Sequence, residues 1–185
     1  MPAGPAGAAA VLDSYRNLLD LVDAAAGAAG PAGSPTPCGG CRACCGPLSL
    51  LPLEAHALLA AGLPESRPPA AAACPLLGEA GCRAGDARPF ACRARGLAVR
   101  HLDAEGAWVT TACGFVGGRD GSGHDDAVPL AEWAALLFHL DCEFRACLGL
   151  SPGRIDLADL CRVPGRYRAL LSVPAVLPLV SRAAP

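Results

Sequence analysis

The 185-residue chain contains no lysine, and all fifteen of its basic side chains are arginine. Amine-nucleophile and Schiff-base chemistry are thereby excluded. Large aromatics are scarce, with four Phe and two Trp, and Ile155 is the single isoleucine. Hydrophobic residues make up 52%, but much of that is alanine, so a core has to come mainly from Leu with Val in support. There is no excess of basic charge either. A net charge of −2 offers no positive field to nucleic acid or to an anionic membrane surface.

Long hydrophobic runs are missing as well. The most apolar stretch, residues 169–180, is only about twelve residues and is broken by Pro174 and Pro178, too short to span a bilayer. The first ten residues carry no Lys or Arg ahead of their apolar part, and Asp13 interrupts it, which argues against a secretion leader. The expected setting is therefore cytoplasmic, where thiols stay reduced and metal ligation outranks disulfides.

What the chain does have is 22 Gly, 18 Pro and 11 Cys. The first two imply many turns and much irregular backbone. The third, an odd number, leaves one thiol over in any fully paired disulfide scheme and can supply the cross-link that a core poor in aromatics needs.

Residues 1–9 are Pro, Ala and Gly and are expected to be disordered. Val11, Tyr15, Leu18, Leu19 and Val22 recur at helical spacing and predict an amphipathic helix over 11–26, ended by Gly27 and Gly30. A loop follows at 30–37, then the turn-rich CGGCRACC of residues 38–45. Pro52 and Gly62 bracket a short helix. Residues 63–73 read as a loop, and the Pro- and Gly-dotted stretch from Cys74 to Cys92 as mostly loops. Residues 97–100 and 108–111 around the polar connector DAEG predict a β-hairpin. A Gly-rich loop occupies 117–123. The strongest helical pattern runs over 129–148, through Leu130, Trp133, Leu136, Leu137, Leu140, Phe144 and Leu148. Residues 156–162 and 166–171 read as two shorter helices.

The fold class expected from this pattern is mainly α with one short β-hairpin, in a small single domain with a loop-rich, metal-cross-linked centre. Its parts are an N-terminal tail plus helix (1–35), a cysteine-cluster metal-binding region (36–118), a C-terminal helical part (119–172) and a tail (173–185).

Cys38, Cys41, Cys44 and Cys45 form a C-x2-C-x2-C-C array. Thiolates two residues apart on a Gly-containing turn converge on one ion, and Gly39 and Gly40 let backbone N–H groups face the sulfurs without steric penalty. Metal binding is the reading this array favours over disulfides or inert thiols. Adjacent Cys44 and Cys45 diverge, by about 100° on a helix or to opposite faces of a strand, so both do not easily enter one tetrahedral sphere. They suit two neighbouring centres instead. The run is not a ferredoxin run, nor does it have the C-x3-C-x2-C spacing of radical enzymes that use S-adenosylmethionine.

The array is followed by Cys74-Pro75-Leu76-Leu77, Gly81-Cys82, Arg88-Pro89-Phe90-Ala91-Cys92-Arg93 and Cys113-Gly114. That succession, across residues 36–118, resembles the YkgJ-like cysteine-cluster family, the zinc- or iron-chelating CxxCxxCC domain. The resemblance implies eight ligand candidates: Cys38, Cys41, Cys44, Cys45, Cys74, Cys82, Cys92 and Cys113. Eight is the number that two four-thiolate sites require. Where family members often carry an aromatic pair before the Arg-Pro, this chain has Arg83-Ala84-Gly85-Asp86-Ala87. Flagellin lysine N-methylase carries a similar domain, though nothing beyond the cluster in this chain supports methyl transfer.

Four thiolates around Zn²⁺ or a [4Fe–4S]²⁺ core leave a net charge of about −2, which nearby guanidinium groups offset. Arg42, Arg83, Arg88, Arg93 and Arg95 lie among the candidates. Arg88 is the best placed, because the R-P-x-x-C turn holds it near Cys92; the alternative is a solvated loop rich in the chain's only basic residue. Cys142, Cys147 and Cys161 fall outside the pattern and read as buried structural thiols. His56, His101 and His139 read as ordinary residues of their elements. His124-Asp125-Asp126 is the one choice for an oxygen- and nitrogen-donor metal site, with a polar loop as its plainer reading. Residues 117–121 match a phosphate loop only loosely, lacking its lysine.

Three functions stand side by side at this point. One is a metal-binding protein holding iron–sulfur or zinc, either redox-active or accessory to a partner enzyme. Another is a structural zinc module for protein interaction. The third is a cluster-dependent enzyme related to flagellin lysine N-methylase. No nucleic-acid or membrane partner is expected.

Overall fold

The first helix, α1 (Pro5–Ala29), carries Ala8, Val11, Tyr15, Leu18, Val22 and Ala26 on one buried stripe at spacings of three and four residues. In this computed structural model the described residues are 4–29, 45–63, 74–78, 81–95, 97, 99–102, 108–111 and 130–172. The helix begins at Pro5, not at Val11. Pro is favoured in a first turn and alanine is the strongest helix former, so residues 5–9 of the segment expected to be disordered are helical once Ala8 has a core to enter.

The remaining elements, in order, are β1 (Ser49–Leu50), α2 (Pro52–Ala60), β2 (Leu77–Gly78), β3 (Gly81–Cys82), a 3-10 turn (Gly85–Ala87) and α3 (Phe90–Arg93). After them come β4 (Val99–Leu102), β5 (Trp108–Thr111), α4 (Leu130–Leu148), β6 (Ile155–Asp156), α5 (Leu157–Arg162) and α6 (Pro164–Leu170). The architecture is a mainly helical single domain with short, two-stranded antiparallel sheets. β4 and β5 form the expected hairpin, in the register Val99↔Thr111 to Leu102↔Trp108. Two further pairs are present. β2 pairs with β3 through Leu77↔Cys82, and β1 pairs with the distant β6 through Leu50↔Ile155.

The stretch from Cys74 to Cys92 is thus more regular than the loops expected of it. Gly81, the first residue of β3, sits at a φ of +122°, a conformation that a residue with a Cβ would resist. α2 ends where expected, with Gly62 in the left-handed region at a φ of +81° just past its last turn.

Two apolar clusters make the core. The first joins α1 to Leu137, Leu140 and Phe144 of α4 and to Phe90, Ala94 and Leu97. The second gathers Leu58, Leu59, Leu63, Leu76, Ile155, Leu157, Leu160, Tyr167 and Leu171, with Cys74 and Cys161 among them. α2 is shared: Leu53 enters the first cluster, whereas Ala55, Leu58 and Leu59 enter the second. His56 of α2 lies between them, its Nδ1 2.8 Å from the carbonyl oxygen of Leu171 and its ring centroid 5.3 Å from that of Phe144.

The start of α2 is unusually well satisfied. Glu54 reaches back to the Leu51 N–H at 3.0 Å, and Asp141 of α4 accepts from the Leu53 N–H at 3.1 Å. Asp141 also accepts from Arg145 Nε at 2.7 Å, so this buried carboxylate is paired as well as hydrogen-bonded. Among the described residues no helix is long and apolar enough to cross a membrane.

Candidate metal centre

Four of the eight ligand candidates fall among the described residues: Cys45, Cys74, Cys82 and Cys92. Cys38, Cys41, Cys44 and Cys113 lie outside them, as do His124 and the loop at 117–123. Backbone bonding draws three of them, Cys45, Cys74 and Cys82, into neighbouring segments. The Cys74 N–H donates to the Cys45 carbonyl at 3.3 Å, tying the end of the C-x2-C-x2-C-C array to the next candidate along the chain. Cys74 then opens a tight turn, its own carbonyl accepting from the Leu77 N–H at 3.0 Å. Leu77 faces Cys82 across the β2–β3 pair, so the hairpin folds Cys82 back beside the segment that leaves Cys74. The Arg83 N–H closes the hairpin on the Leu76 carbonyl at 2.8 Å, and Arg83 Nη2 donates to the Pro75 carbonyl at 2.7 Å.

Cys92 sits on the single turn of α3. Burial pushes its thiol up to about 12, and the charges of Cys74, Cys82, Glu54 and Cys45 push in the same direction. Cys74 is raised too, by burial first and by Cys82 among the charges. These thiols are therefore close enough to oppose one another's ionisation. Cys74, Cys82 and Cys92 are in no disulfide. Among the described residues no three His, Cys, Asp or Glu side chains are already arranged to hold a metal ion.

The donor chemistry suits a soft cation nonetheless. Thiols that resist ionisation because burial and mutual repulsion disfavour their charge lose that penalty when a cation neutralises them. Zn²⁺ and iron–sulfur clusters are the thiolate-bound groups that match an all-cysteine set.

The arginines divide in an unexpected way. Arg88 donates from Nε to the Gly85 carbonyl at 3.1 Å. Arg93 is the buried one, 6% exposed, and its whole fork is used. Its Nε donates to the Arg88 carbonyl at 2.8 Å, Nη2 to the Asp86 carbonyl, and Nη1 pairs with Asp23 on α1. Sequence reasoning also passed over Glu54, Asp141 and Tyr15. Glu54 is 5% exposed, and its two oxygens accept from the N–H groups of Leu51 and Phe90. Burial raises the pKa of its carboxyl, against the lowering effect of those two hydrogen bonds. Burial raises the Tyr15 hydroxyl as well, with the charge of Glu54 next in importance. The only sequence signal for this set was a charged residue in an apolar context at Glu54 and Asp141.

The three remaining cysteines differ among themselves. Cys161 is buried in the second cluster and Cys147 packs partly against the first. Cys142, expected to be buried, is exposed on α4, and its sulfur accepts from Arg145 Nη2 at 3.1 Å. It lies one position past Asp141, which takes the inward-facing place on that turn. His139 is exposed, 3.4 Å from Glu143.

No protein-family model, curated protein or solved structure matches the chain.

Proposed function

We propose that this is a cytoplasmic metal-binding protein, related to the YkgJ-like cysteine-cluster proteins, that holds iron–sulfur or zinc through Cys38, Cys41, Cys44, Cys45, Cys74, Cys82, Cys92 and Cys113. One observation supports this above the others: the Cys74 N–H bonds to the Cys45 carbonyl at 3.3 Å and the β2–β3 pair sets Cys82 opposite Leu77, so candidates far apart in sequence are brought into neighbouring segments. Burial keeps the Cys74 and Cys92 thiols neutral, and a cation that takes the place of their protons would remove the penalty on their charge, coupling binding to folding. With the centre loaded, the protein transfers electrons or serves a partner enzyme.

A second reading has its own support. Cys74 belongs to the second apolar cluster and Cys45 packs against it, so a metal bound there would cross-link a hydrophobic core, as structural zinc does. The two separate on colour and composition. Protein purified without oxygen should contain iron and sulfide and show visible absorption that bleaches on reduction if it carries a cluster. It should be colourless and contain zinc alone under the structural reading. A chain that contains neither, and takes up neither when reduced, sinks both.

A further inference from the structure

α3 is a helix of four residues, Phe90–Arg93, and a single turn is too short to hold itself together. Its N-cap residue, Pro89, has no side-chain acceptor to offer the first N–H groups. The acceptor comes instead from 36 residues earlier, where Glu54 Oε1 takes the Phe90 N–H at 3.1 Å. The other oxygen of the same carboxylate takes the Leu51 N–H at the start of α2. One buried side chain therefore fixes two helix starts relative to each other.

The far end of α3 is held by Arg93, whose three bonds reach Arg88, Asp86 and, on α1, Asp23. Cys92 lies between these two locks, with its own N–H bonded to the Pro89 carbonyl at 2.9 Å. Cys74 and Cys82, in contrast, sit at a turn and in a two-residue strand held through backbone groups, the Cys74 N–H on the Cys45 carbonyl and Leu77 paired with Cys82.

We infer that Glu54 and Arg93 are positioning residues that hold Cys92 at its ligating place before any metal arrives, so that the centre assembles on this fixed thiol. This rests on the metal-binding reading proposed above and deepens it. A ligand fixed in advance does not have to be ordered at the moment of binding, so the locks raise affinity without touching the metal.

The test is anaerobic titration of the full, reduced chain with Co²⁺, whose thiolate charge-transfer and d–d bands report both affinity and the number of sulfurs bound. Glu54→Gln keeps the side-chain size but turns an N–H donor towards one of the two backbone N–H groups. It should weaken Co²⁺ binding about tenfold while leaving the band intensity at saturation unchanged. Asp141→Asn serves as the control, because it disturbs the same start of α2 at Leu53 and does not touch α3. It should lower the unfolding midpoint comparably and leave Co²⁺ affinity within twofold of wild type. If Glu54→Gln does not fold, Arg93→Lys breaks the other lock and carries the same expectation.

Equal affinities in wild type, Glu54→Gln and Arg93→Lys, with Cys92→Ser still losing thiolate bands, would overturn the positioning role and leave metal binding standing. An affinity loss in Asp141→Asn as large as that in Glu54→Gln would reduce the effect to general stability and overturn it too. A wild type that binds no Co²⁺ removes the metal-binding reading itself, and this inference with it.

Discussion

Around α1 and α4, position is set by apolar side chains: Val11, Leu18 and Val22 on one helix meet Leu137, Leu140 and Phe144 on the other, and nearly all are fully buried. Between Cys74 and Ala94 the same task falls to hydrogen bonds and charges. There the buried large apolar residues are Leu76 and Phe90, while Arg93, Arg83 and Glu54 supply bonds that reach backbone carbonyls or N–H groups. The first region is stable for the usual reason, about 1.5–3 kcal/mol for each large side chain withdrawn from water. The second has elements of two to four residues, none self-sufficient, and thiols that range from buried Cys74 through half-buried Cys45 and Cys92 to exposed Cys82. A region built in this way depends on something beyond its own packing, and the proposed metal is what would supply it.

The sharpest way to break that contrast is to remove the metal. With chelator, amide hydrogen exchange should accelerate by orders of magnitude across 74–94 and stay slow in the interior of α4, since ligation supplies the missing free energy of the former only. Equal protection of residues 74–94 in both states would mean that polar bonding alone suffices. Next in size is a cavity on the other side. Phe144→Ala should cost about 3–5 kcal/mol in chemical denaturation, because this fully buried ring joins α4 to α1 and to His56. In the presence of metal, the thiolate bands should persist until the whole domain unfolds.

The smallest expected effect lies at the α5–α6 surface. Asp159 is held below its ordinary range, first by the Tyr167 hydroxyl and then by Arg162. A depressed carboxyl contributes stability above its unfolded value of 3.8 and loses that contribution as the pH falls through the folded value. Tyr167→Phe should therefore be slightly less stable than wild type near neutrality, with the gap closing on acidification. A gap that stays constant with pH would assign the loss to packing of the ring.

The helices were largely legible in the sequence because their signals are local. Pro52 and Gly62 mark both ends of α2, and Asp156 caps α5 by accepting from the Asp159 N–H at 3.0 Å. The pair β1–β6 was not legible. Two residues against two, joined across a hundred positions, leave no periodicity to read, and Ile155 as the lone isoleucine gives no hint of Leu50 as its partner. The start of α1 was misread because alanine and glycine are so common here that Ala8 did not register as a core residue.

At the candidate centre, spacing picks out which residues are thiols and says nothing of what holds them. The bond from the Cys74 N–H to the Cys45 carbonyl, the cap that Glu54 places on α3, and the burial of Arg93 in preference to Arg88 all arise from contacts between segments. A local motif cannot encode them. The exposure of Cys142 has the same origin: Asp141 is needed at the start of α2 and takes the inward position.

The central claim is that the gathered thiols, and not cysteines in general, hold a metal. Metal-to-protein ratios of chains purified without oxygen test it, with Cys74→Ser, Cys92→Ser and Cys142→Ser measured beside the wild type. Substitution at Cys74 or Cys92 should remove the metal of at least one centre, while Cys142→Ser, altered at an exposed position on α4, keeps the full complement. Unchanged metal content in both Cys74→Ser and Cys92→Ser, or an equal loss in Cys142→Ser, would contradict the claim.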